Sequence, residues 1–526
     1  MNSIDRRYCG ILMHPTSLPS LYGIGDLGAA AYDFVDYLQS AKVSLWQVLP
    51  LSPTGFGNSP YASRSTFAGN EQLLSLEELA SKGYLREEEI ASPPPFPKDK
   101  INYSMVEAWK MPLLKRAAQT FIDQGKEIED YHSFCNKNAF WLDDYALFMV
   151  IYEHYQDARW FSVWNRDEGD RKPQALQKIK DMYPKQIEIW KVLQFFFETQ
   201  WQRLKKYANE HDISIIGDIP IFVAADSVDT WSHLELFKTD QDGHYKGVSG
   251  VPPDCFCATG QLWGNPVYDW QEMKKDNYHW WMQRIKAMFH QIDILRIDHF
   301  RGFESYWEVP YGDKTAEHGI WTKAPGKDFF EEVRKQLGEV PILAEDLGFM
   351  TPEVEKLRNE NNFPGMRICQ FGFSRDHADW PNPYDTFLPH NYPYDSVAYT
   401  GTHDNDTVKG WYDSLCWNDK DMVKRYLNCN ESELVWSMIR SIMASHAKYA
   451  IFPMQDILAL GSEARMNTPS TCGPHNWSWR MQKGMNTKEK AEKLAELVDF
   501  YARNGKLAEE AELEHLLAQS KSSQQR

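Results

Sequence analysis

Two rhythms of apolar positions run along the chain. One is short and unbroken: runs of four to seven mostly apolar residues stand at 10–14, 45–49, 213–219, 294–300, 342–346, 366–371, 397–400 and 450–454, the length of strands buried on both faces. The other has a helical period. Ala31, Phe34, Val35 and Leu38 stand at i, i+3, i+4 and i+7, and Phe330, Val333 and Leu337 repeat part of that spacing, so each set gathers on one helix face. Strands alternating with amphipathic helices predict a parallel α/β fold, because a parallel pair needs a crossover and the helix supplies it. Eight such strands predict a TIM (β/α)8 barrel.

The spacing between runs is uneven. About 160 residues separate the second run from the third, far more than a βα connection needs, so a mainly helical insertion is expected at 60–199. The barrel then occupies 1–59 and 200–505. Inside the insertion a proline-rich turn at 92–97 precedes helical runs around 105–118, 140–155 and 187–207, the last leading straight into the third strand. Residues 246–266 hold four glycines, three prolines and Trp263 with no apolar period, which predicts an irregular lid loop after the third strand. Thr351-Pro352-Glu353 reads as a helix start, with a capping hydroxyl followed by proline at the first helical position. Helices are expected at 488–501 and 506–518, with Gly505 between them free to take the left-handed conformation. The segment 506–526 is therefore read as a final helix and a frayed polar tail.

Composition narrows the partners. A net charge of −17 repels phosphate backbones and anionic headgroups, so neither nucleic acid nor a membrane surface is expected, and no apolar run is long enough to span a bilayer. Aromatic residues make up 14% of the chain and include 20 tryptophans; a flat apolar face beside a polar N–H suits sugar rings. The eight cysteines contain no C-x-x-C pair, and Cys255 and Cys257 lack partners at zinc spacing. Free thiols, no metal, no cofactor and a cytoplasmic location are the expectation, and the oligomeric state is left open.

Gly23, Gly25 and Gly28 match the dinucleotide pattern G-x-G-x-x-G between a strand and a helix. Pro15 and Pro19 interrupt the tight turn that pattern needs, and no acidic residue ends the second strand to hold a ribose, so the glycines are read as a loop at the barrel mouth. Reacting groups in such a barrel sit at the C-terminal ends of strands, and four ends are ionisable: Asp218; Arg296, Asp298 and His299; Glu345 and Asp346; His403 and Asp404. Period-two alternation puts Arg296 and Asp298 on one face and Leu295 and Ile297 on the other, and an arginine beside an aspartate favours the anion. Any single pair serves equally well as a structural ion pair. Several carboxylates at one mouth suit a division of labour, one protonated acid beside one anionic nucleophile, as retaining glycoside chemistry requires.

LRIDHF at 295–300, AEDLG at 344–348 and TGTHD at 400–404 resemble the α-amylase clan. IGDIPIF at 216–222 keeps Asp218 but lacks the Asn-His that commonly closes that region. With GILMHPTSLPS at 10–20, WQVLPLSPTGFGNSPY at 46–61, FAGN at 67–70, WLDDYALF at 141–148, GVPPD at 250–254, GQLWGNPVY at 260–268, LPHNY at 388–392 and ARMNTP at 464–469, the chain resembles the 4-α-glucanotransferases of glycoside hydrolase family 77 over nearly its whole length. The resemblance implies transfer of α-1,4-glucan segments between malto-oligosaccharides or glucans derived from starch or glycogen, through a covalent glycosyl-enzyme. It implies Asp298 as nucleophile, Glu345 as acid/base and Asp404 as transition-state stabiliser. Tyr61, Asp218, Arg296, His299 and His403 would form the donor-sugar site, Asp254 and Trp263 the sugar contacts of a lid, and Phe56 part of a secondary groove. Strict alternation turns His299 away from Asp298, so its role requires the strand to break pattern at its end. An amylase-like hydrolase would use the same three carboxylates, and a non-catalytic glucan-binding protein would have no need of them.

Overall fold

The computed structural model describes residues 6–125, 128–253, 258–373 and 382–506. In chain order its strands are β1 (Tyr8–Leu12), β2 (Leu45–Gln47), β3 (Ser214–Pro220), β4 (Gly247–Val251), β5 (Gln261–Pro266), β6 (Ile294–Asp298), β7 (Ser305–Pro310), β8 (Ile320–Lys323), β9 (Ile342–Ala344), β10 (Gly365–Ile368), β11 (Ser396–Tyr399) and β12 (Tyr449–Pro453). Eight of them, the eight read from the sequence, close into a barrel in the order β1-β12-β11-β10-β9-β6-β3-β2, every neighbour parallel. Alternation divides their side chains into two shells. Leu12, Leu45, Ile216, Leu343, Met366, Val397 and Ile451 pack inside the barrel, whereas Ile11, Trp46, Ile215, Leu295, Ile297, Ile342 and Ala398 pack outward against the helices. Asp218, Arg296, Asp298 and Glu345 share the inward parity and lie at or just beyond the strand ends, so the mouth collects them.

The outer layer follows the helical period. Helix Ala29–Ser40 buries Ala31, Phe34, Val35, Tyr37 and Leu38, and helix Gly326–Leu337 buries Phe329, Phe330 and Val333. Between β2 and β3 the chain forms long helices at Tyr103–Gln124, Ile128–Tyr155 and Pro184–Glu210. They outrun the apolar stretches read from the sequence because their ends are fixed by caps. Asn102 accepts the Met105 N–H at one end of the first, and Gly125 turns left-handed at the other. Helix Pro184–Glu210 serves the barrel directly: its Trp201 indole donates to the Gln291 carbonyl and its Lys205 to that of Ile292.

The segment 246–266 corrects the expected irregular loop. β4 and β5 pair antiparallel, with a register shift between Val248 and Gly250, and join β7 and β8 in a four-stranded sheet ordered β5-β4-β7-β8. No apolar period marks these strands because glycine occupies the positions where chains approach. A Cβ on Gly250 would lie 2.6 Å from the Gln261 carbonyl, and one on Gly247 would lie 2.7 Å from the Glu308 carboxylate. β7 and β8 had no signal in the sequence, since β8 spans four residues and is largely exposed.

At the glycine-rich loop, a Cβ on Gly25 would lie 2.0 Å from the Pro15 carbonyl. Gly28 precedes helix Ala29–Ser40 and donates its N–H to the buried Asp26, so the chain's own carboxylate occupies the place a phosphate would take. Thr351 and Pro352 do start helix Pro352–Glu360, although the Thr351 hydroxyl caps none of its amides. Helix Lys488–Phe500 forms and Gly505 is left-handed at φ 75°; the helix expected at 506–518 lies outside the described residues beyond Lys506.

Candidate active site

β3 and β6 lie side by side with Asp218 opposite Arg296 and Pro220 opposite Asp298, and that register builds the floor of the mouth. Arg296 is 3% exposed and serves two carboxylates at once. Nη1 donates to Asp218 Oδ2 at 2.5 Å and Nη2 lies 2.9 Å from Asp298 Oδ1. Although burial opposes it, the charges of Asp218 and Asp298 raise the arginine's pKa well above its usual value. Asp218, whose side chain is fully buried, also accepts the Tyr61 hydroxyl at 2.8 Å. Its pKa is raised, first by burial and then by Asp298, against the opposing pull of Arg296. Its carboxylate therefore faces Tyr61 and Arg296 from below rather than the cleft, whereas the Asp298 side chain keeps 31% of its exposure.

Beyond Asp298 the strand breaks its pattern. His299 is left-handed at φ 53°, ψ 49°, the departure from alternation that its proposed role demands. The turn aims the His299 N–H at Glu345 Oε2, 2.7 Å away, while Leu347 N–H reaches Oε1 at 2.9 Å. Backbone bonds join the same two strand ends, Glu345 N–H to Ile297 and Phe300 N–H to the Glu345 carbonyl, both 3.0 Å. Glu345 is pushed up to about 8, by burial first and by the Asp298 charge second, with Arg296 and the Leu347 amide opposing. The His299 ring is pushed down to about 3 by burial and by Arg301, and Trp263 from β5 meets it edge to face with centroids 4.7 Å apart.

The opposite wall is aromatic. His403 is buried, lies 3.4 Å from Asp404 Oδ2 and stacks on Tyr61, with centroids 5.1 Å apart and planes at 16°. Trp477 tilts against both rings. Burial lowers the His403 pKa although Asp404 pulls the other way. Asp404 is fixed by residues to which the sequence reading gave no role: Asn467 donates to its Oδ1 at 2.7 Å and Arg465 to its carbonyl at 2.6 Å. Both lie in ARMNTP, a motif quoted above without a function. Trp477 carried no signal at all.

Phe56, Tyr61, Trp263, Asp298, Asp404 and Asn467 line one cleft of about 900 Å³, the upper range for a small-molecule site and roomy enough for several sugar rings. Glu345, partly exposed, borders the mouth beside the His299 turn. Asp254, expected to touch sugar, lies outside the described residues. Among the described residues one group, Asp240, Asp242 and His244, has metal-ligand spacing. It lies on an exposed hairpin turn where Asp240 already takes two backbone N–H groups, apart from the mouth.

The family model described as 4-alpha-glucanotransferase matches residues 13–486. A 4-alpha-glucanotransferase from Synechocystis is 48% identical over 507 residues, covering 95% of this chain and 99% of its own length. The chloroplastic/amyloplastic 4-alpha-glucanotransferase of Solanum tuberosum is 42% identical, covering 95% and 87%. Among solved structures, an amylomaltase from Streptococcus agalactiae in complex with acarbose superposes with a TM-score of 0.91 at 37% identity, covering 95% of this chain and all of that one.

Proposed function

The chain belongs to the 4-alpha-glucanotransferase family and transfers α-1,4-glucan segments between glucans, and from that premise we propose how its mouth divides the work. The Asp298 carboxylate attacks C1 of the donor sugar while the Glu345 carboxyl gives its proton to the departing 4-oxygen, leaving a glycosyl ester on Asp298. Glu345, now an anion, takes the proton from the 4-hydroxyl of an acceptor glucan. That oxygen attacks C1, the ester breaks, and Asp298 is freed with the α configuration retained. Asp404 stabilises the developing positive charge through the sugar hydroxyls. Arg296 and Asp218 are positioning residues below the cleft, holding Asp298 and Tyr61. His299, His403, Tyr61 and Trp263 enclose the donor sugar.

The observation that carries this reading is the contrast between the two carboxyls at the β6 and β9 ends. Asp298 rests on a guanidinium, whereas Glu345 is raised to about 8 and so holds a proton at neutral pH, as an acid must. Arg159 and Phe161, from the inserted segment, line the same cleft, which supports reading 60–199 as part of an acceptor groove. Acceptor binding there has to outcompete water by orientation. None of the six described cysteines forms a disulfide among the described residues, and among those residues no helix is long and apolar enough to cross a membrane; the thiols support a reducing compartment, the cytoplasm.

Incubation with maltotriose tests the transfer. Glucose and chains longer than the substrate should appear together at nearly constant reducing-end count. Steadily rising reducing ends with no longer product would mean that water is the acceptor.

A further inference from the structure

Two of the motifs quoted above, FAGN and WLDDYALF, have no part in the chemistry of the mouth, yet they meet at one place. A second pocket of about 360 Å³ opens on the outside of the barrel, within the range of small-molecule sites. Three helix faces and one loop wall it. Phe134, Lys137, Asn138 and Trp141 come from helix Ile128–Tyr155, and Gln283, Lys286, Ala287 and His290 from helix His279–Gln291. Each set stands at i, i+3, i+4, i+7, so each is a single face turned into the pocket. Phe197 stands on the third helix, and Phe67 and Gly69 on the loop.

The apolar side is rigid. Phe67 stacks on Trp141 with planes at 14° and meets Phe140 edge to face, centroids 5.4 Å apart. Gly69 is required because a Cβ there would lie 2.0 Å from the Phe197 ring. Gln194 locks the loop, accepting the Gly69 N–H and donating to the Gly69 carbonyl. Phe140 nevertheless remains 44% exposed, an aromatic face with room beside it.

The polar side holds two lysines, Lys137 and Lys286, and one carboxylate, Glu198. Glu198 is taken by His290, 2.5 Å away. Lys137 and Lys286 are exposed and have no hydrogen-bond or ion-pair partner among the described residues, although the chain carries a net charge of −17. A neutral glucan would use the aromatic faces and leave both lysines idle. A bare anion would use the lysines and leave the aromatic floor idle.

We propose that this pocket binds a hexose phosphate, the sugar ring lying against the aromatic side and the phosphate between Lys137 and Lys286. The site is separate from the transfer cleft, and the proposal does not depend on the roles assigned there.

Calorimetric titration of the full-length protein with glucose 1-phosphate tests it, in parallel with glucose and inorganic phosphate. Saturable one-site binding is expected, with each half-ligand weaker by about tenfold or more, the worth of one charge-assisted contact. Lys137→Glu/Lys286→Glu should abolish binding and Phe140→Ala should weaken it, both without changing the rate on maltotriose. Lys137 and Lys286 are exposed and make no hydrogen bond or ion pair that the substitutions remove, whereas Phe140→Ala gives up its edge contact with Phe67; thermal unfolding separates that loss of packing from a loss of binding. Absence of binding to the wild-type protein, or binding unchanged in the lysine variant, overturns the proposal. Inorganic phosphate binding as tightly as glucose 1-phosphate would mean an adventitious ion only and overturns it as well; so would glucose binding equally tightly.

Discussion

Replacing Arg296 by lysine tests whether one guanidinium really serves two masters. The guanidinium presents separate N–H groups to Asp218 and Asp298, at 2.5 and 2.9 Å, where an ammonium presents a single point of charge. The two carboxylates compete for that point unequally. Asp218 is fully buried, and stranding a charge there costs about 3–5 kcal/mol, whereas Asp298 borders the cleft and can recruit water. The lysine should therefore settle on Asp218 and desert the nucleophile. Losing one hydrogen bond between charged groups at Asp298 costs about 1.5–3 kcal/mol, which at about 1.36 kcal/mol per decade lowers kcat/KM roughly 10- to 150-fold. The sharper expectation concerns the double variant. In Arg296→Lys/Asp218→Asn the competitor is neutral, so the lysine is free for Asp298 and activity should exceed that of Arg296→Lys alone, by about two- to fivefold if a third of the lost energy returns. Initial rates of glucose release from maltotriose measure this, with thermal unfolding as a check on the fold. A double variant less active than Arg296→Lys would refute the claim that the two carboxylates share one cation.

Glu345, raised to about 8, should impose an alkaline limb on kcat/KM near that pH, absent in Glu345→Gln on a donor whose leaving group needs no protonation. The same shift has a stability consequence of definite sign. The native carboxyl holds its proton between the usual glutamate value and about 8 while the unfolded one does not, so the wild-type protein loses stability as pH rises through that window. The Tm advantage of Glu345→Gln should accordingly widen from pH 5 to pH 8, and a constant difference would contradict the assignment. Asn467→Ala removes the 2.7 Å hydrogen bond to Asp404 and should cost about 1.5–3 kcal/mol of transition-state stabilisation, read as lower kcat/KM with Tm nearly unchanged. Gly69→Ala should lower stability by about 1–3 kcal/mol through overpacking against Phe197, measurable by denaturant unfolding.

The barrel was legible because its strands are buried on both faces and so stand out as mostly apolar runs, four of them ending in ionisable residues where they meet the mouth. The four-stranded sheet was not. β4 and β5 are held by backbone bonds between glycine-rich segments, and β8 is too short and exposed to leave a pattern. In the site, alternation alone placed Arg296 and Asp298 together but turned His299 away; only the left-handed φ of 53° brings its amide onto Glu345, and no periodicity encodes that. Asn467 and Trp477 reach the mouth from a stretch without regular structure, so neither spacing nor propensity could mark them. The burial of Asp218, which separates a positioning carboxylate from one open to substrate, depends on Tyr61 closing over it from a loop more than 150 positions earlier in the chain.

The strand that carries Trp263 has a mechanical consequence. β5 is bonded to β4, β4 to β7, and β7 follows Asp298 after only the His299 turn and the short helix Phe300–Phe303. A tryptophan on a free loop could swing over the cleft by itself. Here it belongs to a sheet whose β7 continues the nucleophile's own chain, so Trp263 and the His299 turn are parts of one backbone-bonded unit. The aromatic contact from the rim and the hydrogen bond that holds the acid meet at a single residue, His299.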